Sequence, residues 1–191
     1  EHGAASGWVM SQRDSGYTRI AFDLYETPPW VTAALISHVS GKPGTILEPA
    51  CGSGQMVKVL NGHFATLGSD IQINGASFLD MVELPVDHGI TGIITNPPYD
   101  FAEEFCAHAL KLTAPVKGFV AMLLRCDFDH AKSRKYLFAD CPQFAKKVVL
   151  TKRIVWFVEA NGKPKASPSF NHCWMIWDHG HVGPPTIAYA P

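Results

Sequence analysis

The chain has 191 residues, is 47% hydrophobic and 17% charged, and carries a net charge of -1. This is the composition of a soluble globular protein long enough to bury a core as one domain, and a neutral balance argues against a strong nonspecific nucleic-acid binder. No apolar run approaches the roughly 20 residues that a spanning helix needs, so no membrane partner is expected. The five cysteines are widely spaced with no C-x-x-C, which argues against a disulfide scaffold or a zinc site and for a reducing, cytoplasmic location.

The charge is uneven along the chain. Residues 1–100 carry 4 Lys+Arg against 10 Asp+Glu, and residues 101–191 carry 12 against 7. The basic half could face phosphate, or could be a lysine-rich solvated surface. Because the chain starts at Glu1 without a signal peptide, it is expected to be a trimmed form. A single domain is expected over 1–191, with 1–21 as a flexible N-terminal segment and no separate target-recognition domain.

In chain order, "ETPPWVTAALISHV" (26–39) predicts a helix with Thr27 as N-cap and Pro28 in the first turn. "GTILEPACGSG" (44–54) predicts a short buried strand and a glycine loop. "QMVKVLNG" (55–62) predicts a helix closed by Gly62. "ATLGSDI" (65–71) predicts a strand ending in an acid. "GIITNPPY" predicts a buried strand that two prolines end abruptly. "FAEEFCAHALKL" (101–112) predicts an amphipathic helix, and "GFVAMLLRCDF" (118–128) a buried strand with its exit. "HAKSRKYLFAD" (130–140) has a helical pattern. "KKVVLTKRIVWF" (146–157) and "FNHCWMIWD" (170–178) read as two strands with no helix between them, hence an antiparallel pair at one edge. Strands alternating with helices define the expected fold class: an α/β, Rossmann-like, doubly wound and mostly parallel seven-stranded sheet with helices on both faces.

Chemistry concentrates where such strands end, because ligands of open α/β sheets bind at the carboxyl ends. Gly52 and Gly54 let the backbone pass close to a ligand at the first strand–helix crossing. Neither G-x-G-x-x-G nor G-x-x-x-x-G-K-[ST] is present, so phosphate-cradling readings lose ground. Asp70, at the end of the second strand, can accept from both hydroxyls of a ribose, or can be a surface acid. The stiff turn at 96–99 puts Asn96 and Tyr99 at the lip of a strand end. His172, His179 and His181 could be metal ligands, but no second cluster completes a tetrahedral site, and no metal is expected.

Together, "LEPACGSG", the acid after the second strand, and "NPPY" resemble the class I S-adenosylmethionine-dependent amino-methyltransferases. The likeness is greatest to N6-adenine methyltransferases of the gamma motif order, whose Taq-type start "ETPP" at 26–29 resembles. It covers about residues 22–125; from Arg125 on the chain resembles compact phage-type members only loosely. The resemblance implies S-adenosyl-L-methionine as cofactor, S-adenosyl-L-homocysteine as product, and transfer of a methyl group to the exocyclic N6 of adenine in DNA. It implies that Thr27 touches the methionine end of the cofactor, that Glu48, Ala50, Gly52 and Gly54 line its amino-acid portion, and that Asp70 holds the ribose. Asn96 and the Pro97 carbonyl, fixed by Pro97 and Pro98, would accept from the target NH2, and Tyr99 would stack on its ring. Family members often carry an acid just before "FL" after the third strand. Here that position is Ser77, so Ser77, Phe78 or Asp80 would meet the cofactor adenine. Phe170 is the candidate second face for the target base, Arg153 a substrate contact, and Lys163 and Lys165 in the loop 159–169 possible phosphate contacts.

The same tetrapeptide chemistry fits RNA bases or a protein glutamine amide. A different class, a non-catalytic nucleic-acid-binding protein on the same fold, also stays open. Nucleic acid, DNA first, is the expected partner. With no recognition domain expected, specificity would come from short loops, a specificity partner or a homodimer.

Overall fold

In the computed structural model, residues 25–42, 44–156 and 170–190 are described. The middle strands are built from apolar runs because both of their faces are covered. In β4 (Phe119–Arg125) successive side chains alternate: Phe119, Ala121 and Leu123 join one buried cluster, while Val120, Met122 and Leu124 join the other. The first cluster also holds Val31 and Leu35 of helix α1 (Pro29–Val39) and Met56 and Leu60 of α2 (Gln55–Leu60). The second holds Phe105, Cys106 and Ala109. These belong to the long helix that follows "NPPY".

The sheet has seven strands. In chain order the others are β1 (Thr45–Glu48), β2 (Thr66–Gly68), β3 (Ile90–Thr95), β5 (Phe144–Leu150), β6 (His172–Asp178) and β7 (Thr186–Ala190). The spatial order is β2-β1-β3-β4-β6-β5-β7. β2, β1, β3 and β4 run parallel. β6 runs antiparallel between β4 and β5, and β7 pairs in parallel with β5. The helices α3 (Ile71–Asn74) and α4 (Ala102–Thr113) complete the regular elements. The sheet is thus a Rossmann-like, mixed and mostly parallel one, with helices on both faces. Two buried tryptophans tie it to its cover: Trp174 Nε1 donates to the Val31 carbonyl at 2.8 Å and Trp177 Nε1 to the Leu137 carbonyl at 2.6 Å.

Four local expectations are corrected. Thr27 makes no cap; the Pro28–Pro29 pair starts α1 one residue later, with Pro28 in the N-cap place and Thr27 buried. The segment leading to Ser77 is α3 followed by Gly75 in the left-handed region, not a third strand. Residues 132–137 form 3-10 turns rather than an α-helix. The β5–β6 pair is antiparallel, but β7 stands outside it as the edge strand. Phe157 and the loop 159–169, with Lys163 and Lys165, lie outside the described residues, as does the segment 1–21. No helix among the described residues is long and apolar enough to cross a membrane.

Candidate active site

The parallel strands β1, β2 and β3 deliver their carboxyl ends to one edge, and β1 has β2 on one side and β3 on the other. That reversal of strand order opens a crevice. A cleft of about 760 Å³ lies there, the size of a small-molecule site. It gathers Thr27, Glu48, Ala50, Gly52, Asp70, Ser77, Phe78, Asp80, Asn96 and Pro98 of the residues singled out from the sequence. Gly54, the left-handed N-cap of α2 at φ 83°, does not line it. Pro97, Tyr99, Arg153 and Phe170 do not line it.

Glu48 ends β1 and is 1% exposed. Its Oε1 accepts from the Ala50 N–H at 3.2 Å and from the Thr95 hydroxyl, while Oε2 is buried with no partner among the described residues. Desolvation pushes its pKa up to about 8, against the opposing Thr95 and Ala50 hydrogen bonds. A buried carboxyl that lines a cleft, with one oxygen satisfied and the other unpartnered among the described residues, can receive a cation or a donor.

Asp70 follows β2 and stitches two loops together. Its Oδ2 accepts from the Gly52 N–H at 3.0 Å and its Oδ1 from the Gln72 N–H at 2.9 Å, so it caps α3 and pins the glycine turn. Each carboxylate oxygen has a second lone pair, so Asp70 can still accept from a ligand. Across the cleft, Phe78 is buried against Phe105 and edge-on to His108, at 4.9 and 5.0 Å between centroids. Ser77 makes no side-chain cap, and Asp80 is exposed beside it.

Asn96 follows β3. Its Nδ2 donates to the Tyr25 carbonyl at 3.3 Å, and its Oδ1 is buried without a partner among the described residues. The tether decides which end of the amide is left over: an acceptor, at the rim of the cleft. Tyr99 is not among the lining residues but stands against one of them, Tyr25, at 5.9 Å between ring centroids, and its hydroxyl lies 3.0 Å from His172 Nε2.

Phe170 carries the Arg125 guanidinium 4.0 Å above its ring, and Arg153 is exposed and donates to Asn171 at 2.9 Å. Among the described residues, the rings near Tyr99 are those of Tyr25 and His172. Tyr25 carried no site signal in the sequence, and His172 carried one only as a possible metal ligand, not as a partner of Tyr99. The antiparallel course of β6 was the available clue, since it starts that strand at the edge where the parallel strands end. No group of three or more His, Cys, Asp or Glu that could hold a metal ion occurs among the described residues.

Four of the twelve basic side chains of the second half are paired with carboxylates. Arg125, Arg134, Lys135 and Lys147 pair with Asp127, Glu103, Asp140 and Asp129 at 2.8, 3.1, 2.8 and 2.7 Å.

This arrangement of sheet and crevice is a fold shared with solved structures that are named as methyltransferases or modification subunits. Among solved structures, it is similar to the methyltransferase subunit of a type I restriction-modification system from Streptococcus thermophilus, with a TM-score of 0.58 at 12% identity over 86% of this chain and 47% of that one. It is also similar to a modification subunit of a putative type I restriction enzyme from Vibrio vulnificus YJ016, with a TM-score of 0.53 at 14% identity over 86% of this chain and 46% of that one. A third is a putative class I S-adenosylmethionine-dependent methyltransferase from Listeria monocytogenes, with a TM-score of 0.51 at 14% identity over 84% of this chain and 62% of that one. The chain thus spans about half to three-fifths of the length of these structures. No family model and no curated protein matches it.

Proposed function

We propose that this protein is an S-adenosylmethionine-dependent methyltransferase that acts on the exocyclic N6 of adenine in DNA. The observation that carries the reading is Asn96: its amide is tethered through Nδ2, which leaves Oδ1 as an unspent, buried acceptor at the rim of the cleft.

The residues present fit the cofactor. The open Glu48 Oε2 can take an ammonium, Asp70 retains acceptors for ribose hydroxyls, and Phe78 with Ser77 and Asp80 can meet an adenine. When bound, the cofactor supplies an electrophilic methyl group and becomes S-adenosylhomocysteine. The chain's own part is orientation. The lone pair of an adenine amine is delocalised into the ring. Asn96 Oδ1 accepts from the amine N–H and favours a tetrahedral nitrogen, in a turn that Pro97 and Pro98 hold fixed before the reaction. Tyr99 offers a flat face to an extruded base. The proton leaves the nitrogen after transfer, so no strong base is needed at the outset.

Two of the similar structures are named as subunits of type I restriction enzymes, which supports a nucleic-acid substrate. It also supports a specificity partner, a homodimer being the other arrangement, and a cytoplasmic setting goes with the proposal. The test is transfer of radiolabelled methyl from S-adenosylmethionine to unmethylated duplex DNA, single-stranded DNA, RNA and a protein extract. Label recovered as N6-methyladenine in DNA, and reduced at least about 100-fold by Asn96→Ala, is expected. Label in RNA or protein would overturn the substrate, and no cofactor binding would overturn the enzyme.

A further inference from the structure

Beside the "NPPY" turn lies a closed circuit of four rings drawn from four separate stretches of chain. Tyr99 faces His172 at 6.4 Å between centroids, His172 meets Trp156 at 5.4 Å edge-on, Trp156 meets Tyr25 at 5.6 Å, and Tyr25 returns to Tyr99 at 5.9 Å. The Tyr25 carbonyl is the group that tethers Asn96. One assembly therefore holds both the acceptor and the aromatic of the tetrapeptide.

We propose that His172 is a positioning residue for the target base, holding the Tyr99 ring in its stacking plane by accepting the Tyr99 hydroxyl proton at Nε2. The proposal rests on the methyltransferase reading above and deepens it.

His172 opens β6 opposite Arg125 of β4 and is 3% exposed. Burial, with Arg125 adding to it against the Phe170 carbonyl and Asp127, pushes its pKa down to about 4. The ring is therefore neutral near pH 7 and owns one acceptor nitrogen. A phenol is a stronger acid than a neutral imidazole N–H, so across the 3.0 Å contact Tyr99 donates and His172 accepts. A tyrosine with a free hydroxyl could swing about its χ1 bond. Tied to a buried imidazole, it presents one face. Stacking on a base acts alike in the ground state and the transition state, so its loss should fall on KM rather than kcat.

The test uses the whole chain with unmethylated duplex DNA as probe. His172→Phe keeps the ring and removes the acceptor, and Tyr99→Phe keeps the stacking face and removes the donor. Each should raise KM for DNA about five- to tenfold, with kcat within about threefold. The Kd for S-adenosylmethionine should not change, and the double variant should be no worse than either single one. Effects that multiply in the double variant, or unchanged KM values, would overturn the proposal. Loss of cofactor binding in His172→Phe would overturn it too, by showing a general structural role. In the unliganded protein, 15N NMR of the His172 ring should find Nε2 unprotonated, with its signal moved by Tyr99→Phe; a proton on Nε2 would overturn it independently of activity. A wild-type protein that binds cofactor but methylates no DNA would instead sink the DNA reading, and the NMR arm keeps the two failures apart.

Discussion

Glu48 shows what one buried carboxyl can report. Folded, it keeps its proton up to about pH 8; unfolded, it would lose it near 4.5. Between those values the folded state binds more protons than the unfolded one, so stability falls as pH rises through that window. Calorimetry should show the melting temperature of the wild type dropping from about pH 6.5 to 8, above the range where the depressed pKa of His172 acts in the opposite direction, and Glu48→Gln should flatten that slope; equal slopes would mean that Glu48 is ionised throughout. A cationic ligand beside the open Oε2 would pull the proton off. Cofactor binding at pH 7 should then release a proton, seen by titration calorimetry as a heat that depends on the buffer, and Glu48→Gln should abolish the release. At this scale the sequence was legible in part. Glu48, Asp70 and Asn96 stood out because each follows a strand in a recognisable loop. The partners that set their state did not, since Tyr25 lies 71 positions before Asn96 and His172 lies 73 after Tyr99.

β1 and β3 were legible as elements because they are largely buried and read as short apolar runs; β2, the half-exposed edge strand, was legible from the acid that follows it. β7 was not: Ile187 and Tyr189 are 65% and 70% exposed, so its five residues show no buried alternation to detect. Nor was the segment before Ser77, where family resemblance suggested a strand but Asp70 caps a helical turn. Packing between elements is also visible at a glycine. A Cβ at Gly92 in β3 would come within 2.5 Å of the Phe119 ring and 2.8 Å of the Ile46 side chain, both buried. Gly92→Ala should therefore destabilise by about 1–3 kcal/mol, measured by urea unfolding. An unchanged midpoint would show that β3 and β4 can spread at that point.

For the molecule as a whole, the charge balance sets how it would hold a polyanion. Four of the basic side chains of the second half already carry carboxylate partners. With a net charge of -1 on the chain, affinity for duplex DNA should depend weakly on salt, with a log–log slope of about -3 or shallower. A slope near -8 would reveal a much larger basic surface. The order of the strands has another consequence, for synthesis. β6 sits between β4 and β5 but is made after both. Until residues 172–178 leave the ribosome, β5 has no inner neighbour, and β4 shows a bare edge with apolar side chains on both faces. The chain must carry an unfinished, adhesive sheet for some fifty residues of translation, and the antiparallel strand that closes it is the one that brings His172 to Tyr99. The gap between β4 and β5 is filled and the proposed base-stacking ring is fixed by the same late strand.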